Sequence, residues 1–391
     1  MGGAEQIAHV HRLAYTFDTD PEIAAHAERL PVQPRRGKSV IAKPASSHPP
    51  GPASVGGLSP VLVVVTRGGV VESRHRGRFV VVDAAGGVVD HEGDIDEPVF
   101  PRSAIKAIQA IPLVETGAAD AFDVSPAELA LACASHNGEP SQTGAVLAWL
   151  GRLGLGEADL ECGPHAPGHA ASAEDLARHG RAPTRVHNNC SGKHTGFLTV
   201  AKRLGVPTAG YSRAEHAVQR HVAEAIRDLT GTDPATAPAG IDGCGVPTWG
   251  LPLQGLAFAM ARLADPSGLA PERCRAIERI RAAIAAHPMM IAGTGRLCTA
   301  VIAETKGAVV VKTGAEGVYT ALVPALGLGF ALKIDDGASR ASEVAILGLL
   351  RRHGALDGNA ARRLARFATP TLSNTQARRV GDIRWVGASG G

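Results

Sequence analysis

Three valine-rich runs, VLVVVTRGG, VVESRHRG and RFVVVDAAGGVVDHEGD (61–94), are matched far along the chain by VVVKTG, VYTALVPAL and GFALKIDD (309–336). β-Branched runs broken by glycine pairs read as hairpins of an antiparallel sheet. Strands divided this way can share one sheet only if both ends of the sequence meet and the middle is carried outside it. The expected class is α+β: a mixed antiparallel sheet built from both ends, flanked by helices, with a mainly helical region inserted.

Between the two strand groups the apolar period changes to that of helices. The spacing predicts helices over Ser103–Glu115, Thr143–Leu153, Ala173–His179, His194–Leu204, Arg213–Leu229 and Pro271–Ala286, and then Ser339–Arg352 after the last strands. SPAELALA carries a start signal of its own, with Ser125 at the N-cap, Pro126 at N1 and Glu128 at N3, a capping box. Residues 1–57 read differently. KPASSHPPGPASVGG is rich in Pro, Ser and Gly and reads as a flexible linker within an N-terminal extension. Only Ala24–Leu30 suggests a helical turn there. The catalytic domain is expected over 58–391.

Composition narrows the class of function. With 391 residues the chain is long enough to bury a sizeable core. A net charge of +3 without a basic stripe argues against nucleic-acid binding. No apolar run approaches the roughly 18 residues needed to cross a bilayer, so no membrane partner is expected. The opening MGGAEQIAHVHRLAYTFDTD lacks a charged segment followed by an apolar one, and a cytoplasmic location is expected. The six cysteines (133, 162, 190, 244, 274 and 298) form no C-x-x-C pair and read as reduced.

The chemistry is signalled by Ser103 and Lys106 in FPRSAIKAIQ. Residues three apart share a helix face, so the lysine amine lies within reach of the serine hydroxyl. Serine is a poor nucleophile without an adjacent base, and lysine serves as that base only when burial or a nearby cation lowers its pKa. Two further segments follow in order, Ser135-His136-Asn137 and Lys312-Thr313-Gly314. Together they read S-x-x-K, S-x-N and K-T-G, the motif set of serine β-lactamases and penicillin-binding proteins, with His136 where that group has aspartate.

The longer segments ASHNGEP, HNNCSGKHTGFL, GIDGCGVPTWGLPL and KTGAEGVY resemble the thermolabile, rhizobial-type L-asparaginases, the asparaginase II family, over residues 58 to 388. The resemblance implies a serine β-lactamase/glutaminase-like fold and hydrolysis of L-asparagine to aspartate and ammonia. It also implies two Ser–Lys tandems, Ser103 with Lys106 and Ser135 with Lys312, and a metal site on Cys190, Lys193 and Cys244. The expected ion is one zinc per chain, positioned beside the catalytic groups and not taking part directly. From spacing alone, Cys190, His194 and Cys244 would be the ligands, since lysine is a rare one; Asp242 is a further candidate.

Arg102, His136, Asn137 and Glu139 are the candidate substrate-binding residues. An arginine suits the substrate α-carboxylate and a glutamate its α-ammonium. GTGR (Gly293–Arg296) lacks the longer phosphate-loop pattern. The expected protein is a homodimeric amidohydrolase that acts through an acyl-enzyme. Ser103 is the preferred nucleophile and Ser135 the alternative. A penicillin-recognising hydrolase or a glutaminase would share the same Ser–Lys motifs.

Overall fold

The computed structural model describes residues 59–387. The expected extension over 1–57, including the turn at Ala24–Leu30, lies outside them. Eight strands form one sheet: β1 (Val61–Arg67), β2 (Val70–Asp83), β3 (Val88–Glu92), β4 (Val310–Thr313), β5 (Val318–Val323), β6 (Leu328–Ile334), β7 (Thr371–Ser373) and β8 (Arg379–Trp385). Their order is β7-β8-β1-β2-β6-β5-β4, with β3 paired to β2 off this path, and every pairing is antiparallel. The sheet therefore joins the two strand groups where β2 meets β6, with Phe79 opposite Leu332 and Val81 opposite Phe330.

Both faces of the sheet are covered, which is why its strands read as near-continuous apolar runs. Successive residues on a strand point to opposite faces. On β6, Gly329 lies against the helix Leu253–Ala264, where an added Cβ would stand 2.1 Å from the Ala257 carbonyl oxygen. The next residue, Phe330, meets the ring of His353 just after the helix Ser339–Arg352, with centroids 5.6 Å apart. One helix thus packs on each face.

The inserted region carries α1 (Pro126–Ala132), α2 (Pro140–Arg152), α3 (Ala170–Arg178), α4 (Ser191–Leu204), α5 (Ala217–Thr230), α6 (Leu253–Ala264), α7 (Pro271–Ala286) and α8 (Leu297–Glu304). After the sheet strand β6 comes α9 (Ser339–Arg352). The capping box stands as expected: Ser125 Oγ accepts from the Glu128 N–H and the Glu128 carboxylate accepts from the Ser125 N–H.

Three expectations need correction. Ser103–Glu115 is not one helix but a 3-10 turn at Arg102–Ile105 and two short helices, Lys106–Gln109 and Ile111–Glu115. Pro112 has no N–H to continue the ladder, so a single helix cannot run through it. The two expected strands on either side of Gly77 are one, β2, because the Gly77 N–H is bonded to the Pro60 carbonyl and the pairing with β6 begins there. Finally, β7, β8, α6 and α8 are additions that the strand and helix patterns did not indicate.

All six cysteines are free thiols. Among the described residues no helix is long and apolar enough to cross a membrane.

Candidate active site

The site forms at the β4 edge of the sheet, where the inserted region rejoins it. Lys312, on β4, faces Thr320 on β5. The buried Thr320 hydroxyl lies within hydrogen-bonding reach of two carbonyls, Ala104 at 3.2 Å and Lys312 at 3.3 Å. One threonine thus ties the Ser103 turn to the Lys312 strand. Gly314 permits the approach: a Cβ there would stand 2.6 Å from the Pro101 carbonyl oxygen. The K-T-G glycine is therefore a steric requirement of the contact between β4 and the Ser103 segment.

Ser135 sits in the loop between α1 and α2, and three other segments fix that loop through backbone bonds. The Ser135 N–H donates to the Ile291 carbonyl, the His136 N–H to Asn189 and the His169 N–H to Asn137. Around Ser135 two lysine amines converge, Lys106 Nζ at 3.0 Å and Lys312 Nζ at 2.7 Å from its Oγ. Lys106 also donates to the Ala134 carbonyl, and Lys312 to the Thr313 carbonyl at 3.0 Å. Ser135, Lys106 and Lys312 are 4 %, 0 % and 8 % exposed, whereas Ser103 is half-buried. The structure brings together Ser135, Lys106 and Lys312 in hydrogen-bond contact. The Lys106 backbone N–H donates to the Ser103 carbonyl, but among the described residues no side-chain hydrogen bond joins the two.

Two ammonium groups donating to one hydroxyl would leave the hydroxyl's own proton without an acceptor, besides repelling each other. The environment removes the conflict. Burial, and then the neighbouring Lys106 charge, bring the Lys312 amine down to about 7. Near neutral pH Lys312 is able to accept the Ser135 proton while Lys106 donates.

His136 is a fixed structural member of this loop. Its Nδ1 accepts from the Gly138 N–H at 3.1 Å, so its Nε2 carries the proton and donates to Ser191 Oγ at 2.8 Å. Ser191 passes its own hydroxyl proton to the Val186 carbonyl at 2.9 Å. Burial, followed by the Lys106 charge, lowers His136 to about 3, so the ring stays neutral. Asn137 Nδ2 donates to the Thr294 carbonyl at 3.0 Å, and its Oδ1 accepts from Arg296 at 2.8 Å. Glu139 accepts from the Thr294 N–H at 2.6 Å and the Thr294 hydroxyl at 3.1 Å.

Arg102, which the sequence suggested for the substrate carboxylate, has its Nε hydrogen-bonded to Asp242. It holds a left-handed backbone, φ 52°. That conformation is costly for a residue with a side chain, and such strain gathers at functional sites.

Asp242 leads directly to the cysteine cluster. Its second carboxylate oxygen lies 3.5 Å from Cys244 Sγ, and Lys193 Nζ donates to the same sulfur at 3.1 Å. The Cys190 thiol donates to Asn189 Oδ1 at 3.1 Å, and its interaction with the neighbouring Cys244 sulfur, with burial, pushes it up to about 12. The same interaction with Cys190, against burial and with the help of Lys193, brings Cys244 down to about 5, so it rests as a thiolate. Burial works against a charged Lys193, but the Cys244 thiolate, the neighbouring Cys190 and the Asp242 carboxylate outweigh it and hold the amine protonated.

His194 takes no part in this cluster. Its Nδ1 meets the Tyr211 hydroxyl at 2.7 Å, and that hydroxyl accepts the Glu161 N–H at 2.8 Å, so Tyr211 donates to the ring. Among the described residues no three His, Cys, Asp or Glu side chains gather as a metal-holding group. Beside the two cysteine sulfurs the third group is the Lys193 ammonium, 3.1 Å from Cys244 Sγ.

Residues 63–385 match the family model described as L-asparaginase II. The chain belongs to the L-asparaginase II family. Membership covers the whole described fold except its outermost residues.

Among solved structures, this family member is similar to Mglu in its native form in the presence of 4.3 M NaCl, with 15 % identity and a TM-score of 0.40 over 73 % of this chain and 63 % of that one. It is also similar to a putative β-lactamase from Bacteroides dorei DSM 17855, with 13 % identity and a TM-score of 0.37 over 70 % and 93 % of the two chains. A class C β-lactamase from Rhodobacter sphaeroides gives 15 % and 0.34 over 76 % and 95 %. The chain thus spans less than two thirds of the length of Mglu. These likenesses are distant, and family membership rests on the sequence match. No curated protein matches the chain significantly.

Proposed function

We propose that the chain hydrolyses L-asparagine to L-aspartate and ammonia through an acyl-enzyme on Ser103. The observation that carries this reading is the hydrogen-bonded line Lys106–Ser135–Lys312, which ends at an amine brought down to about 7. A substrate must reach the nucleophile. Ser135 is closed in by both lysines, while Ser103 is half-buried one turn before Lys106.

Ser103 Oγ attacks the side-chain amide carbon. Ser135 passes its proton to neutral Lys312, Lys106 passes one to Ser135, and the amine so freed on Lys106 takes the proton of Ser103 as the bond to carbon forms. Reversal of the line protonates the leaving nitrogen, the C–N bond breaks, and ammonia departs. Water then attacks the aspartyl ester and gives its proton to the same line. The ester C–O bond breaks, and the proton returns to Ser103 as aspartate leaves.

In this reading Cys190, Lys193 and Cys244 hold one zinc ion per chain. Cys244 is already a thiolate with Lys193 Nζ 3.1 Å from its sulfur, and Cys190 and Lys193 would each give up a proton on binding the ion. When bound, the ion cross-links the α4 and Asp242 segments by metal–thiolate and metal–amine bonds. The proton line needs no metal, because base and nucleophile both come from the chain.

Ammonia release combined with peptide mass mapping after rapid quenching tests the reading. Wild type should release ammonia from L-asparagine and carry a transient aspartyl adduct on the Ser103 peptide. Ser103→Ala should show neither. Ser135→Ala should be slowed yet still acylated on Ser103. An adduct on Ser135 would transfer the nucleophile's role, and turnover of nitrocefin without ammonia release from asparagine would replace asparaginase by a penicillin-recognising hydrolase.

A further inference from the structure

The segment Gly293–Arg296 matches no phosphate loop, yet the fold places it against the Ser135 loop. Thr294 bonds Asn137 and Glu139 through its backbone, and Ile291, just before the segment, accepts the Ser135 N–H. Gly293 makes the approach possible: it has φ 102°, and a Cβ on it would stand 2.3 Å from Glu139 Oε1. The segment then delivers Arg296, which donates one N–H to Asn137 Oδ1 at 2.8 Å.

A guanidinium has five N–H donors, and that bond is the one recorded for the Arg296 side chain among the described residues. None of the carboxylates described lies within 4.0 Å of it, in contrast to Arg102, which Asp242 occupies. Arg296 is half-buried, and its charge reaches Lys312, whose amine it helps to depress. A half-buried arginine with no carboxylate in ion-pair contact, only the more distant Glu343 feeling its charge, and bonded to Asn137 two positions after Ser135, is built to receive an anion.

We infer that Arg296 binds the α-carboxylate of the substrate and so selects amino-acid amides over simple amides. The inference rests on the asparaginase reading above. Asparagine places its carboxylate two carbons from the reacting amide carbon, so a carboxylate clamp beside the lysine line sets the amide against the nucleophile.

Kinetics on a pair of amides tests this: L-asparagine and 3-aminopropanamide, which keeps the amine and the side-chain amide but has no carboxylate. Wild type should prefer asparagine. Arg296→Met should lower kcat/KM for asparagine about 10- to 100-fold, mainly through KM, and leave 3-aminopropanamide within about twofold. Arg296→Lys should recover part of the loss. Circular dichroism melting confirms that both variants are folded. Loss of equal size on both amides, or an unchanged preference in Arg296→Met, overturns the assignment while asparagine turnover by wild type still stands. Absence of ammonia from asparagine with wild type itself removes the functional reading, and this inference falls with it.

Discussion

Lys312 offers the sharpest measurement. Its amine lies 2.7 Å from Ser135 Oγ, and burial together with the Lys106 charge brings it to about 7 from an ordinary value of 10.5. If neutral Lys312 is the terminal acceptor, kcat/KM for asparagine should rise with pH and level off above about 7. Two pH units below that value about 1 % of the amine is neutral, so activity at pH 5 should be about 100-fold below the plateau. Ammonia should be measured in quenched samples from pH 5 to 9, so that no coupling enzyme contributes its own profile.

The same titration has a thermodynamic consequence with a definite sign. Between about 7 and 10.5 the unfolded chain holds a proton on Lys312 that the native chain lacks, so this group's contribution to stability rises with pH across that window. Lys312→Met should therefore gain most over wild type in melting temperature below pH 7, and the gain should shrink as pH rises toward 10.5. A flat rate profile from pH 5 to 8, or an inflection near 7 that persists in the residual activity of Lys312→Met, would refute the assignment of the base.

Two further outcomes follow from packing and from the cysteine cluster. Gly314→Ala pushes a methyl group to 2.6 Å from the Pro101 carbonyl oxygen; it should cost about 1–3 kcal/mol of stability by urea unfolding and at least about tenfold in kcat, since β4 and the Ser103 turn are forced apart. Chelation, or Cys190→Ala, should raise KM for asparagine and affect kcat much less, with elemental analysis of untreated protein giving about one zinc per chain; loss of turnover at saturating asparagine after chelation would move the ion into the chemistry.

How far the sequence revealed the fold depends on how local each signal was. Pro271–Ala286 and Ser339–Arg352 were legible to the residue, because each presents one apolar stripe to its surroundings and ends in the expected way. The helix Leu253–Ala264 was not, since it is wedged against the sheet and buried over most of its surface, which erases its period. The strand Arg379–Trp385 was hidden by its composition: RVGDIRW buries Asp382, whose carboxylate is held low by hydrogen bonds from Arg384 and Thr66.

At the site, the expected Ser135–Lys312 pair is in hydrogen-bond contact, while the place of Lys106 was not legible from spacing. S-x-x-K spacing suggests that Lys106 serves Ser103, whereas the loop carrying Ser135 turns its hydroxyl onto both amines. Nothing in the sequence fixes the register that sets Lys312 opposite Thr320, and that register holds the two halves together. Arg102 and Arg296 look alike as residues near the motifs. Only the fold shows that one is bound to Asp242 and the other points at Asn137 without an acid.

A sheet gathered from both ends of the chain also sets the order in which this protein can come to life. During synthesis the Ser103–Lys106 turn and the Ser135 loop leave the ribosome long before Lys312, to which Ser135 is bonded across 177 positions. Contacts of such separation form late, because a long loop must first be closed. A nascent chain halted ahead of β4 would hold both serines and Lys106 but no proton acceptor, and β2 would lack its β6 neighbour. The ribosome-bound chain should thus be silent as a hydrolase until its last strands dock, and slow translation near 310 would delay activity more than it would delay the helices.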